Sequence, residues 1–241
     1  MNKDTLYAQP QALIGAFRFD EHVVRVFDDM IRRSVPGYGL LLEMIGVITA
    51  QYAQPDTALY DLGCSLGAST LAMRHRAPAG SRIIAIDNAP AMIEQAQKNI
   101  AADRAAVPVN VLCADLRTIA FESPLSLATF NLTLQFIPAD ERTALLARIA
   151  QAMMPGGALI LSEKIQVPND CHDRLLIDLH HGFKRAQGYS DMEIAQKRSA
   201  LDNVLIPDTL DTHIARLHEA GFTHVAPWFQ CFNFMSLLAV R

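Results

Sequence analysis

Apolar positions along this chain change period several times, and the changes mark out its elements. From Asp20 to Arg33 the residues Val23, Val24, Phe27, Met30 and Ile31 recur at helical spacing, with Asp20 placed as an N-cap. Ser34-Val35-Pro36-Gly37-Tyr38 breaks this pattern with a Pro-Gly turn, and a second helical pattern runs from Leu41 to Tyr52. A short apolar run, Ala58-Leu59-Tyr60, stops at Gly63, and a helical pattern (Ala68, Leu71, Ala72) begins after Gly67. Arg82–Asp87 is a continuous apolar run ended by an acid, the pattern of a parallel strand buried on both faces. Val107–Leu112, Leu127–Phe136 (with Asn131 inside it) and Ala158–Glu163 read as further strands, alternating with helices at Ala91–Ile100 and Ala139–Met153. Residues 168–204 interrupt the rhythm with a polar, helical stretch. A helix at Leu210–Ala220 and two strands, Val225–Cys231 and Phe232–Val240, close the chain; the strands are near enough to pair antiparallel.

Five alternations of strand and helix predict an α/β fold with a mostly parallel sheet and right-handed crossovers. The terminal pair brings the sheet to seven strands. Residues 1–241 are read as one domain, with residues 1–52 as an arm and two cover helices. The 168–204 segment is an insertion and the expected source of substrate specificity.

The chemistry centres on Asp61-Leu62-Gly63-Cys64-Ser65-Leu66-Gly67. Strand, glycine turn and helix open a nucleotide-binding unit, where glycine lets the backbone approach a ligand. The spacing Asp-x-Gly-x-x-x-Gly differs from the Gly-x-Gly-x-x-Gly of dinucleotide folds. Asp61 places negative charge beside the turn, which disfavours a phosphate and suits a cationic or zwitterionic nucleoside. A tight turn without a ligand is the alternative. Asp87 lies at the end of the second strand, where an acid accepts hydrogen bonds from ribose hydroxyls. Asn131 within a strand is either satisfied internally or turned to a ligand. His180-His181 could suggest a metal or a base, but helix-adjacent residues face about 100° apart and no ligand set accompanies them, so no metal is expected. Lys184, Arg185, Lys197 and Arg198 form either a solvated face or an anchor for an anionic substrate.

Composition narrows the class. Hydrophobic residues make up 51% and charged residues 19%, enough apolar matter for a substantial core. A net charge of −4 argues against a dedicated nucleic-acid binder. The four cysteines are scattered without a Cys-x-x-Cys pair, as in a reduced cytoplasmic protein. The first residues lack the basic-then-apolar pattern of a signal peptide, and no apolar run reaches membrane-spanning length.

Longer strings sharpen the reading. Asp61–Gly67 with Asp87 and Asp115 at strand ends resembles the S-adenosylmethionine site of class I methyltransferases, a Rossmann-like fold. Arg33-Ser34-Val35-Pro36-Gly37-Tyr38, Ile83–Asn88, Thr133-Leu134-Gln135-Phe136, Phe183–Ala186, Gly188-Tyr189-Ser190, Gln196–Ser199 and Trp228–Phe234 resemble the carboxy-S-adenosyl-L-methionine synthase family nearly end to end.

That resemblance implies conversion of S-adenosyl-L-methionine and prephenate to carboxy-S-adenosyl-L-methionine and phenylpyruvate. The product then serves a partner enzyme that modifies the wobble uridine of transfer RNA, and this chain itself acts as a homodimer without contacting nucleic acid. Carried over by position, Tyr38, Gly63, Cys64, Ser65, Asp87, Asn88, Asp115, Leu116 and Asn131 contact S-adenosyl-L-methionine or its carboxylated product. Arg198 holds the new carboxylate, a task that suits a guanidinium fork. Glu122-Ser123-Pro124-Leu125-Ser126 departs from the family pattern and loosens the register expected before Asn131. Two other readings stand beside this one: an ordinary small-molecule methyltransferase, and a non-catalytic S-adenosylmethionine-binding partner of a transfer RNA-modifying enzyme.

Overall fold

The computed structural model describes residues 2–241, so the expected arm is seen from Asn2 and Met1 lies outside the described residues. Three helices, α1 (Glu21–Val24), α2 (Phe27–Ser34) and α3 (Tyr38–Tyr52), precede the sheet. The strands are β1 (Ala58–Leu62), β2 (Arg82–Asp87), β3 (Val109–Cys113), β4 (Leu125–Asn131), β5 (Met153–Lys164), β6 (His224–Cys231) and β7 (Phe234–Val240). Helices α4 (Ala68–Arg74), α5 (Pro90–Ala102) and α6 (Arg142–Ala152) connect the parallel strands. Helices α7 (Asp170–Ala186) and α8 (Asp191–Leu201) occupy the interrupting stretch, and α9 (Leu210–Glu219) leads to the final strands.

The sheet order is β3-β2-β1-β4-β5-β7-β6. Pairing is parallel from β3 through β5, while β7 runs antiparallel to both β5 and β6. This is the expected seven-stranded, mostly parallel α/β fold with its terminal antiparallel hairpin. The reason is visible in the strands: all five residues of β1 are buried, as befits a strand with helices on both sides. One core layer holds Tyr60, Phe130 and Leu146; the opposite layer holds Leu41, Ile45 and Leu59, so α3 packs on the sheet. A third cluster joins the arm and cover to the rest through Phe17, Val26, Met30 and Met92.

Three differences from the expected boundaries stand out. The helix expected over 20–33 is two, broken at Val26 (φ −123°, ψ 0°), whose side chain is buried in the cover cluster. Asp20 does cap the first of them, its Oδ1 accepting from the amides of His22 and Val23. The fourth strand stops at Asn131 instead of reaching Phe136. Leu132 takes a left-handed φ of +65°, and a 3₁₀ turn follows at Leu134–Phe136. Asn131 therefore stands at a strand end. Finally, β5 begins at Met153, and its pairing with β4 shifts register between Leu125 and Leu127. There the excess lies on β5, in Met154–Gly157; against β1 the extra residue is Ser126 of β4, so the register does shift within the Glu122–Ser126 stretch.

Candidate active site

The sheet order reverses between β1 and β4, and ligands of open α/β sheets bind at such a point, beyond the carboxyl ends of the strands. A cavity of about 440 Å³ lies there. All ten residues expected from the sequence border it: Tyr38, Gly63, Cys64, Ser65, Asp87, Asn88, Asp115, Leu116, Asn131 and Arg198.

The glycine turn forms one end. Gly63 sits at φ +83°, and a Cβ there would meet Thr133 Cγ2 at 2.2 Å, so only glycine fits between β1 and the turn after β4. Ser65 is also left-handed (φ +51°) and is held by Asp87, whose Oδ2 accepts from the Ser65 amide at 2.9 Å. Asp87 Oδ1 accepts from the Ala89 amide at 2.9 Å. Burial pushes the Asp87 carboxyl above its ordinary range, against the pull of those amides. Deeper still, Asp61 accepts from Thr70 Oγ1 at 2.5 Å, and desolvation raises it to about 7. Asn131 Nδ2 donates to Ser69 Oγ at 2.9 Å, while its buried Oδ1 lacks a protein partner. Asn131 is thus satisfied internally on one side only, and it borders the cavity. Asp115 is different. Its carboxylate is forked by Arg117, with Nη2 to Oδ2 at 2.6 Å, which keeps its pKa low.

The other end is basic. Lys164 from the end of β5, Lys184 from α7, and Lys197 and Arg198 from α8 all border the cavity. Arg185 does not: it reaches Asp191 at 3.0 Å on the exposed side. Of the four cations singled out in the insertion, three therefore serve the cavity and one is a solvated face. Arg198 forms no side-chain hydrogen bond or ion pair among the described residues. Glu193, an acid on the same helix, instead caps α8 with Ser190. His180 is neutral: burial pushes it down to about 3, and its Nε2 donates to the Ser34 carbonyl at 2.8 Å. Among the described residues no cluster of three or more His, Cys, Asp or Glu side chains is arranged for a metal.

Pattern reasoning missed one basic wall residue, Lys164, and the residue beside it that shapes the wall. Glu163, buried at the end of β5, accepts from the amides of Thr133, Leu134 and Gln135 and so builds the turn that closes over Gly63. Lys164 carried no motif. Its neighbour Glu163 is the signal: two charged residues closing an apolar strand mark a strand end that faces a site.

Together the fold and this turn define a class: residues 59–157 match the family described as a methyltransferase domain. A putative O-methyltransferase from Nostoc punctiforme superposes with a TM-score of 0.66 at 14% identity, over 92% of this chain and 59% of that one, a likeness of fold alone. Carboxy-S-adenosyl-L-methionine synthases are much nearer in sequence. The Stutzerimonas stutzeri protein is 55% identical over 98% of both chains, and that of Trichlorobacter lovleyi is 55% identical over 99% of this chain and 98% of its own. The chain belongs to the carboxy-S-adenosyl-L-methionine synthase family.

Proposed function

We propose that this enzyme converts S-adenosyl-L-methionine and prephenate to carboxy-S-adenosyl-L-methionine, phenylpyruvate and water. The observation that carries the reading is one cavity with an acidic nucleoside end and a basic end whose Lys164, Lys184, Lys197 and Arg198 form no ion pair among the described residues. S-adenosyl-L-methionine is a substrate here. The acidic end fits it: Asp87 for the ribose, the Gly63-Cys64-Ser65 backbone beside the amino acid portion, Leu116 and Asn88 against the base, and Asn131 Oδ1 as an acceptor wanting a donor. Tyr38 closes that end from α3.

The reaction balances without an outside reagent. The bond from the prephenate ring to its carboxylate breaks, its electron pair makes the ring aromatic, and hydroxide leaves. The sulfonium methyl carbon gives up a proton, which joins that hydroxide as water, and bonds to the freed carbon dioxide. The protein's part is to hold two reactants in register and keep bulk water out. Arg198 receives the new carboxylate.

In this reading the 168–204 segment recognises the second substrate, and the protein works in the cytoplasm, where its four unpaired cysteines stay reduced. No helix of the described residues is long and apolar enough to cross a membrane. It acts as a homodimer, for which exposed Leu40 and Val47 on α3 supply apolar surface, and hands its product to a transfer RNA-modifying enzyme. The test is mass spectrometry of the nucleoside formed from S-adenosyl-L-methionine and prephenate. A product about 44 Da heavier, with phenylpyruvate in equal amount, is expected. A methylated acceptor with S-adenosylhomocysteine would instead make it an ordinary methyltransferase.

A further inference from the structure

The basic end holds more cation than one new carboxylate can use. Lys184 and Lys197 are each 7% exposed and border the cavity, yet neither forms an ion pair among the described residues. Lys197 Nζ has one hydrogen-bond partner, Ser34 Oγ at 3.1 Å, and Lys184 Nζ has none. A single acid, Asp4, acts on both lysines, and it also accepts from Tyr189 OH at 2.5 Å and from the Leu6 amide. Two buried ammonium groups beside one carboxylate leave a positive charge unmatched, and an arriving anion would match it.

The cations are also ordered in space. Lys184 and Lys197 are buried and share a neighbour, the Tyr189 ring, whose centroid lies 5.8 and 6.0 Å from their Nζ atoms; Lys197 also reaches Ser34 of α2. Lys164, at the end of β5, is half-buried, and Arg198 on α8 is exposed. The four cations thus divide into a buried pair and a more open pair.

Resting on the synthase reading, we propose that these two pairs form a two-carboxylate ruler. Lys184 and Lys197 grip the carboxylate that the second substrate keeps, that of its 2-oxo acid side chain. Lys164 and Arg198 face the carboxylate that leaves. Holding the retained group at the deep pair sets the departing one beside the methyl carbon. Burial supports the division, since it presses Lys197 down to about 7 and Lys184 to about 8, and a bound carboxylate would restore their charge.

Phenylpyruvate separates the two pairs, because it carries only the retained carboxylate. Its binding is measured calorimetrically with S-adenosylhomocysteine present, in wild type and in Lys164→Met, Lys184→Met and Lys197→Met. Lys184→Met and Lys197→Met should each weaken phenylpyruvate about tenfold or more, the loss of a charge-assisted contact. Lys164→Met should change it less than threefold while raising KM or lowering kcat for prephenate. Melting temperatures without ligand should match or exceed wild type, since a buried charge is exchanged for an apolar chain of like length. If a methionine variant does not fold, Lys184→Gln and Lys197→Gln serve in its place. Equal effects of all three substitutions, no effect of any, or no phenylpyruvate binding by wild type would overturn the assignment. Turnover is read separately: wild type that makes no carboxylated product from prephenate sinks the synthase reading, whereas the binding pattern still decides the ruler.

Discussion

Replacing Arg198 with alanine should change the enzyme's choice between two ligands that differ by one carboxylate. S-adenosyl-L-methionine carries a positive sulfonium, which Arg198 repels. The carboxylated product adds a negative charge beside that sulfonium, which Arg198 attracts. The guanidinium is uncommitted, free of any ion pair among the described residues, so nothing must be broken before it binds. It is also exposed, unlike Lys184 and Lys197, and this lowers the stake. A fully desolvated pair would cost about 2–5 kcal/mol on truncation. A half-solvated, charge-assisted contact is worth about 1.5–3 kcal/mol, or roughly tenfold to hundredfold in affinity. Arg198→Ala should therefore weaken the carboxylated ligand by that factor and leave S-adenosyl-L-methionine equal or slightly tighter. Competition binding of the two ligands to wild type and variant gives the ratio directly. A parallel fall in both affinities, or no change in either, would show that Arg198 does not read the carboxylate.

Other outcomes follow from the same geometry. Asp87→Asn should weaken S-adenosyl-L-methionine about tenfold to hundredfold by calorimetry, through lost ribose contacts; Asp87→Ala should also lower the melting temperature, because the Ser65 and Ala89 amides lose their acceptor. Unchanged affinity in both would place the ribose elsewhere. Gly63→Ala should destabilise the fold by about 1–3 kcal/mol from strain at a left-handed φ, and by more from the Thr133 contact, read by thermal melting. A melt identical to wild type would mean the turn relaxes freely. Phenylpyruvate affinity should fall as pH rises from 6 to 9, because Lys197 near 7 and Lys184 near 8 lose their protons in the ligand-free protein. Binding at pH 8 should take up protons, measured from heats in buffers of different ionisation enthalpy, and a flat profile would refute it. Without ligand the sign reverses for stability. Both folded pKa values lie below the unfolded value of about 10.4, so these lysines favour folding more as pH climbs from about 7 to 10.

Much of this protein is written locally. The continuous apolar run ending in an acid at Arg82–Asp87 reads as a buried parallel strand, and the glycines flanking Cys64–Leu66 read as a tight strand-to-helix turn, as the structure has them. Those features depend on near neighbours in the chain, so period and turn chemistry disclose them, and the ten site residues from Tyr38 to Arg198 expected from the sequence all border the cavity. What required the tertiary structure was whatever depends on distant partners. Asn131 ends a strand because Leu132 turns left-handed over an amide-capping Glu163, an arrangement that joins β4 to β5. The helix expected over Asp20–Arg33 breaks because Val26 is drawn into a cluster with Phe17 and Met92. Above all, four similar cations in the insertion looked alike in the chain. Folding turned Arg185 outward to Asp191, buried Lys184 and Lys197, the latter against Ser34, and brought Lys164 from β5 to border the same cavity. A helix face or strand end gives a side chain its direction, but whether a charge meets water, an acid or an empty cavity depends on which segments pack against it. That is settled by contacts between residues far apart in the chain, and no local pattern records them.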